Sequence, residues 1–249
     1  MIYITRPSPE GELLTRQLNQ ANLAAKHLPF FAISAGQDLD KLPAQLAQLD
    51  SSAIVIVVSP QVSHILKQQA VSINFPKQIN YYAVGKRSAT LFRQLSQTTV
   101  HYPTCENSEG LLALLEKQPL AGRKALILCG NGGRELLAQQ LCKHNMDVTR
   151  LACYHRQVIH YPATILATDI SQQLIVITSI EHLMQLERYC QTAHKNHAQL
   201  IVSSERIYHR AKQLKWQKVL PIDCANNQIL FKTVLTLCHN VINETKNVK

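Results

Sequence analysis

Aromatic residues are scarce in this chain: 6% of 249 positions, with a single tryptophan. That leaves few platforms on which nucleobases could stack. Long apolar runs are missing too. The longest aliphatic stretch, residues 53–58, falls far short of the ~20 residues needed to cross a bilayer. Glycine and proline together fill only 18 positions, which excludes collagen-like and low-complexity chains. The first residues, Met1-Ile-Tyr-Ile-Thr-Arg6-Pro7, lack the charged start and apolar core of a signal peptide. Acidic residues number 16 against 26 Lys plus Arg, a net charge of +10. These readings predict a soluble, cytoplasmic, globular protein with no membrane partner. At roughly 150 residues per domain the length suggests one and a half to two domains.

The seven cysteines are odd in number and contain no C-x-x-C pair, which suits reduced thiols. The nearest approach to a metal pattern is Cys190-x3-His194-x2-His197, and no second ligand pair stands beside it. The expectation there is of thiols and solvated histidines. The charge surplus invites an anion, but no helix-turn-helix, zinc-finger or RNP signature is present and the cations are scattered. No nucleic-acid partner is expected. The densest basic stretch, residues 204–218, carries Arg206, Arg210, Lys212, Lys215 and Lys218 against Glu205. Its apolar spacing reads as a solvated helix face, with a small polyanionic ligand as the other reading.

Short aliphatic runs alternate with longer amphipathic stretches, the pattern of a parallel α/β sheet. Strands are expected at residues 2–5, 53–59, 82–84, 124–129, 174–178, 200–203 and 219–222. They are apolar on consecutive positions, as strands covered on both faces should be. Leu14 with Leu18, and Leu137 with Leu141, mark two helices. Ser108 is the expected cap of a third, ahead of Leu111-Leu112-x-Leu114-Leu115.

An internal repeat organises these elements. Gly11-Glu-Leu-Leu-Thr-Arg-Gln-Leu18 aligns with Arg134-Glu-Leu-Leu-Ala-Gln-Gln-Leu141. Ile54-Val-Ile-Val-Val-Ser59 aligns with Leu174-Ile-Val-Ile-Thr-Ser179, and Val84-Gly85-Lys86 with Val202-Ser203-Ser204. The offsets are 123, 120 and about 118 residues. Two similar α/β lobes follow.

The strand-to-helix turns are small, hydroxylated or basic: Thr5-Arg6-Pro7, Ser59-Pro60-Gln61, Gly85-Lys86-Arg87-Ser88, Gly130-Asn-Gly-Gly-Arg134, Thr178-Ser179 and Ser203-Ser204-Glu205-Arg206. In parallel sheets ligands bind beyond the carboxyl ends of strands, where helix starts offer unpaired N–H groups. Any one of these Ser or Thr residues could be only a helix cap. Six such turns point to a site that grips anions. Gly130-x-Gly132-x-x-Glu135 is half of a dinucleotide fingerprint and lacks its third glycine, and there is no P-loop, G-x-S-x-G elbow or H-E-x-x-H.

In order along the chain, these turns resemble those of the uroporphyrinogen-III synthase family. The resemblance rests on Ile4-Thr5-Arg6-Pro7, Ser59-Pro60-Gln61-Val62, Ala83-Val84-Gly85-Lys86-Arg87-Ser88-Ala89 and Ser108-Glu109-Gly110-Leu111-Leu112. It continues through residues 122–135, Tyr154-His155-Arg156, Thr178-Ser179 and residues 201–207, spanning residue 2 to about residue 230. Val58 stands where the family usually has Thr, Cys129 where Arg is common, and Lys215-Trp216 at a helix end that usually contains Gly.

The resemblance implies two flavodoxin-like lobes: residues 1–33 with 160–249, and residues 37–154. A two-stranded antiparallel linker would join them near 32–37 and 154–161, permitting hinge closure of a cleft. It further implies cyclisation of hydroxymethylbilane, an octacarboxylate, with loss of water and inversion of ring D through a spirocyclic intermediate. No cofactor and no metal would be required. The protein would be a monomer whose contact with the upstream bilane-forming enzyme is transient. Tyr154 is the implied general acid. Carboxylate binding would fall to Arg6, Ser59, Ser63, Lys86, Ser88, Arg134, Thr178, Ser179, Ser203, Ser204, Arg206 and Ile207. The competing reading is a non-catalytic two-lobed module for an anionic metabolite or nucleotide.

Overall fold

Strand-forming aliphatic runs and amphipathic helices alternate from the first residue of the computed structural model, which describes residues 1–69, 73–132, 135–166 and 169–246, the last eight by backbone alone. The chain begins β1 (Ile2–Ile4), α1 (Glu10–Gln20), β2 (Ala25–His27), β3 (Phe31–Ala35) and α2 (Leu42–Ala47). It continues β4 (Ile54–Val57), α3 (Pro60–Gln68), β5 (Asn80–Ala83), α4 (Lys86–Ser96), β6 (Val100–His101) and α5 (Ser108–Leu115). Then come β7 (Lys124–Gly130), α6 (Leu136–Lys143), β8 (Asp147–Val158), β9 (Leu174–Ile177), α7 (Ile180–Leu186) and α8 (Thr192–His197). The last elements are β10 (Gln199–Val202), α9 (Glu205–Gln213), β11 (Lys218–Pro221) and α10 (Asn227–Lys246). Among the described residues no helix is long and apolar enough to cross a membrane.

The internal contacts divide the chain into two compact units, Met1–Ala32 with Gln157–Lys249, and Ile33–Arg156. The first unit holds a five-stranded parallel sheet in the order β11-β10-β9-β1-β2. The second holds a six-stranded sheet in the order β3-β8-β7-β4-β5-β6. Its pairings from β8 to β6 are parallel. β3 runs antiparallel beside β8: Gly36 N–H donates to Cys153 O, and Ile159 N–H to Phe30 O. The chain passes from one unit to the other twice, in β3 and at the end of β8.

The repeat extends to strand register. Ile2 pairs with Leu174 as Ala125 pairs with Ile54, and Ile2 pairs with Ala25 as Ala125 pairs with Val148. Leu174 pairs with Gln199 as Ile54 pairs with Asn80, and Leu200 with Val219 as Tyr81 with Val100. β1 and β2 therefore correspond to β7 and β8, while β9, β10 and β11 correspond to β4, β5 and β6. The third sequence alignment shifts by one residue: Ala83 and Val202 end equivalent strands, so Gly85 lies opposite Ser204.

The same correspondence builds the cores. Leu14, Leu18, Leu230 and Val234 cover one face of the first sheet. Leu137, Leu141, Leu111 and Leu115 cover the matching face of the second. Each fully buried Leu contributes about 1.5–3 kcal/mol relative to exposure, so the periodic leucines dictate which helix face turns inward.

All seven expected strands form, with ends moved by at most two residues. β2, β6 and the first half of β8 are additional. β2 and β6 are edge strands of three and two residues, too short to show a pattern. β8 buries only Leu151, Cys153 and Tyr154 among exposed and half-buried, mostly polar neighbours, so it carries no aliphatic run. Asn107, one residue before Ser108, caps α5 by accepting from Gly110 N–H at 2.7 Å. At the end of α9, Lys215 takes the left-handed φ of 69° usually given to glycine. Trp216 follows, wholly buried, its indole N–H donating to Glu187 Oε1 at 2.7 Å. A large apolar anchor with its own acceptor thus offsets the strain at Lys215.

Candidate functional site

In the second unit, register brings the turns level. Val57 pairs with Ala83 on one side and Leu128 on the other, so Ser59, Gly85 and Gly130 each stand two residues past one row. Tyr154 pairs with Gly130 across a bulge in β8. Ser59 caps α3: its Oγ accepts from Gln61 N–H at 3.2 Å, and Pro60 occupies the first helical turn, where a missing N–H costs nothing. The hydroxyl proton remains to donate outward, so capping and anion binding are compatible. Ser63, one turn further, is 5% exposed and its Oγ has no hydrogen-bond partner among the described residues.

Lys86 opens α4 with an exposed side chain. Its backbone N–H donates to Glu106 Oε2 at 2.9 Å. Gly85 makes room for that carboxylate, since a Cβ there would stand 2.6 Å from Oε2. The start of α4 thus already holds an anion from its own unit. Ser88 is buried in the first turn of α4.

Tyr154 is 6% exposed and lies over Gly130, where a Cβ would come within 2.6 Å of its ring Cζ. Asn131 brackets it: the Asn131 N–H donates to Tyr154 O at 3.0 Å, and its Oδ1 accepts from Arg156 N–H at 2.6 Å. Arg150 holds the far side of this turn through Gly132 O and Glu135 Oε1. Arg134, expected as a cation of the same turn, lies outside the described residues. Cys129, where the family commonly has Arg, is a buried thiol whose pKa burial raises, with Arg150 opposing the shift.

In the first unit, Arg6 reaches away from its turn. One Nη donates to Ala225 O at 2.8 Å and to Asn227 Oδ1 at 2.5 Å, tying the end of β1 to the start of α10. Thr178 and Ser179 follow β9, and both hydroxyls meet His182. Ser179 Oγ accepts from His182 N–H at 3.1 Å, and Thr178 Oγ1 lies 3.4 Å from His182 Nδ1. Ser203 is buried and its N–H donates to Ile177 O. Ser204 caps α9, accepting from Ile207 N–H at 3.4 Å. That N–H also reaches Ser204 O, and the Ile207 side chain is 2% exposed in the core. Arg206 is exposed.

Each edge therefore gathers its own set: Ser59, Lys86, Ser88 and Tyr154 in one unit, Arg6, Thr178, Ser179, Ser203, Ser204 and Arg206 in the other. Ser63 and Ile207 lie beneath. Glu106, Asn131 and His182 escaped the sequence reading. Two of them belong to none of the small or basic turn patterns, and Asn131 sits inside one as an unremarked residue. The expectation of solvated histidines holds for His197, which is exposed, and fails for His194, whose ring is taken up by backbone partners. His194 is buried, accepts Gln191 N–H on Nδ1 and directs Nε2 at Leu166 O, while burial pushes the Cys190 thiol to about 12. Among the described residues no group of three or more His, Cys, Asp or Glu could hold a metal ion.

Residues 12–223 match the family described as uroporphyrinogen-III synthase HemD. The uroporphyrinogen-III synthase of Escherichia coli K12 is 35% identical over 243 residues, covering 94% of this chain and 99% of that protein. That of Salmonella typhimurium LT2 is 34% identical with the same coverage. Among solved structures, a mutant uroporphyrinogen III synthase from the extremely thermophilic bacterium Thermus thermophilus superposes with a TM-score of 0.62 at 13% identity, covering 96% of this chain and 98% of that one. The Helicobacter pylori 26695 enzyme gives 0.60 at 16% identity, covering 95% and 98%. Sequence similarity over nearly the whole length, with the same α/β fold of parallel sheets, makes this chain a member of the uroporphyrinogen-III synthase family.

Proposed function

We propose that this protein closes hydroxymethylbilane to uroporphyrinogen III, losing water from the terminal hydroxymethyl group and inverting ring D. The observation that carries this reading is the 35% identity to a uroporphyrinogen-III synthase spanning 94% of the chain. The two units are lobes of flavodoxin-like kind. The first has its strands in the sequential order 2-1-3-4-5, and the second has the same order if counted from β7.

The chemistry asked of the protein is mainly orientation, since the activated bilane closes unaided to the wrong isomer. Hydroxyls of Ser59, Thr178, Ser179 and Ser204 and the exposed Lys86 and Arg206 take the substrate carboxylates. Ser63, Ser88, Ser203, Ile207 and Arg6 complete the set through backbone and supporting contacts, with Arg134 as a further cation. Tyr154 hydrogen-bonds the departing hydroxyl and delivers its proton. Gly130 and Asn131 hold that ring in place. The reading needs no cofactor or metal, and the enzyme acts as a monomer.

The test is isomer analysis. Incubated with enzymatically generated hydroxymethylbilane, the protein yields type III product after oxidation and chromatography. Type I product alone overturns the reading in favour of a binding module. Tyr154→Phe is expected to lower the type III rate at least tenfold, and a wild-type rate would remove the acid role.

A further inference from the structure

The two units differ in one pair of positions that change together. At the end of β9 the first unit has Thr178, and one helical turn on, His182. At the equivalent places in the second unit stand Val58 and Val62. An apolar pair is therefore replaced by a polar one. His182 is 6% exposed, and its ring packs on Phe31 with centroids 5.6 Å apart, which keeps Nδ1 turned to Thr178 Oγ1 at 3.4 Å. Through its backbone N–H the same residue holds Ser179 Oγ at 3.1 Å. One histidine thus engages both hydroxyls of the Thr-Ser turn.

The consequence lies in where the protons point. Ser179 accepts from an N–H, so its own proton is available to an anion. Thr178 has that freedom only if Nδ1 carries a hydrogen. With hydrogen on Nε2 alone, Nδ1 takes the Thr178 proton and the hydroxyl presents lone pairs, which repel a carboxylate. With hydrogen on Nδ1, the ring donates to Oγ1 and the hydroxyl proton is directed outward. We propose that His182 is a positioning residue: its Nδ1–H orients Thr178 so that the Thr-Ser turn offers two donors to one substrate carboxylate. This rests on the proposed bilane cyclisation, with Thr178 and Ser179 as carboxylate ligands.

Three replacements separate this from a packing role. His182→Asn keeps an amide donor near the Nδ1 place, His182→Gln moves it toward Nε2, and His182→Leu removes both while retaining bulk. The expected result is a KM for hydroxymethylbilane raised about tenfold in His182→Leu and His182→Gln, the worth of one charge-assisted hydrogen bond. kcat stays within about twofold, and His182→Asn recovers most of the loss. In the background of Thr178→Val, His182→Leu adds nothing further. Nitrogen NMR of labelled histidine on the wild-type protein reads the tautomer directly and does not depend on any variant folding. A ring with hydrogen on Nε2 only in the bilane complex, or equal KM values for the Asn and Leu variants, overturns the proposal. Absence of type III product from the wild-type protein would instead remove the function on which it rests.

Discussion

The two units are built on one strand register yet secure their helix starts by different means. In the first, Arg6 crosses to Ala225 and Asn227 and so fixes the start of α10. Counting by the repeat, Arg6 corresponds to Cys129, Ala225 to Glu106 and Asn226 to Asn107. In the second unit the long cation is gone, and a carboxylate has appeared where the first has alanine. That carboxylate turns to α4, whose start is Gly85 where the first unit has the capping Ser204. The aromatic positions differ too. Tyr154 falls opposite Phe31, with a hydroxyl in one unit only, and Phe31 packs on His182 whereas Tyr154 lies on Gly130. The repeat keeps what the two cores require, and the differences between the units collect in the turns.

The sharpest break is expected at Gly130. Gly130→Val drives its Cβ into the Tyr154 ring, which is closed in by the core and cannot swing away. Displacement of a reacting group by about 1 Å costs roughly 100-fold in rate, so with Tyr154 as the proposed acid, type III formation should fall by that order. The corresponding position in the first unit is Pro7, so no variant there has this effect. Isomer-resolved kinetics checks it, with circular dichroism confirming the fold.

Next is Arg6→Cys, which imports the second unit's solution into the first. It removes two charge-assisted hydrogen bonds at a half-buried site, about 2–3 kcal/mol by urea unfolding. Paired with Asn227→Ala, the losses should be less than additive. Additive losses would mean that Arg6 stabilises by some other contact.

Much of this architecture was legible in the sequence because burial on both faces forces consecutive aliphatic residues, and the leucine spacing fixes the helix faces. The repeat was visible for the same reason: cores tolerate few alternatives. Edge strands such as Ala25–His27 and the largely polar β8 gave no such signal. At the site, Ser59, Ser179 and Ser204 could be read as caps from their place before apolar helices. Glu106 and His182 could not, since their meaning depends on a contact 20 residues away and on a neighbour one helical turn back.

Ser63 offers a finer comparison. Its equivalent in the first unit is Leu183, fully buried and apolar. A buried hydroxyl without a partner costs about 1–3 kcal/mol, so Ser63→Ala should raise stability by about 1 kcal/mol. If Ser63 meets the substrate, as proposed, KM rises severalfold at the same time. A more stable variant with unchanged KM would assign Ser63 to the core alone.

The smallest effect concerns Glu106. A carboxylate at a helix start stabilises by about 0.3–1 kcal/mol at an exposed site, and Glu106 is exposed while bonded to Lys86 N–H. If a substrate carboxylate binds at the start of α4, as proposed, it must displace one already there. Glu106→Gln keeps the shape and removes the charge, so KM should fall two- to threefold while the melting temperature drops slightly. Glu106→Ala removes the carboxylate that a Cβ at Gly85 would strike, so adding Gly85→Ser to that variant transplants the cap of Ser204, and the lost stability should return. A KM that rises in Glu106→Gln would mean that Glu106 orients the turn for substrate instead of competing with it. The two units would then have reached the same end by opposite charges: a cation drawn back from its own turn in one, a carboxylate reaching forward to a helix start in the other.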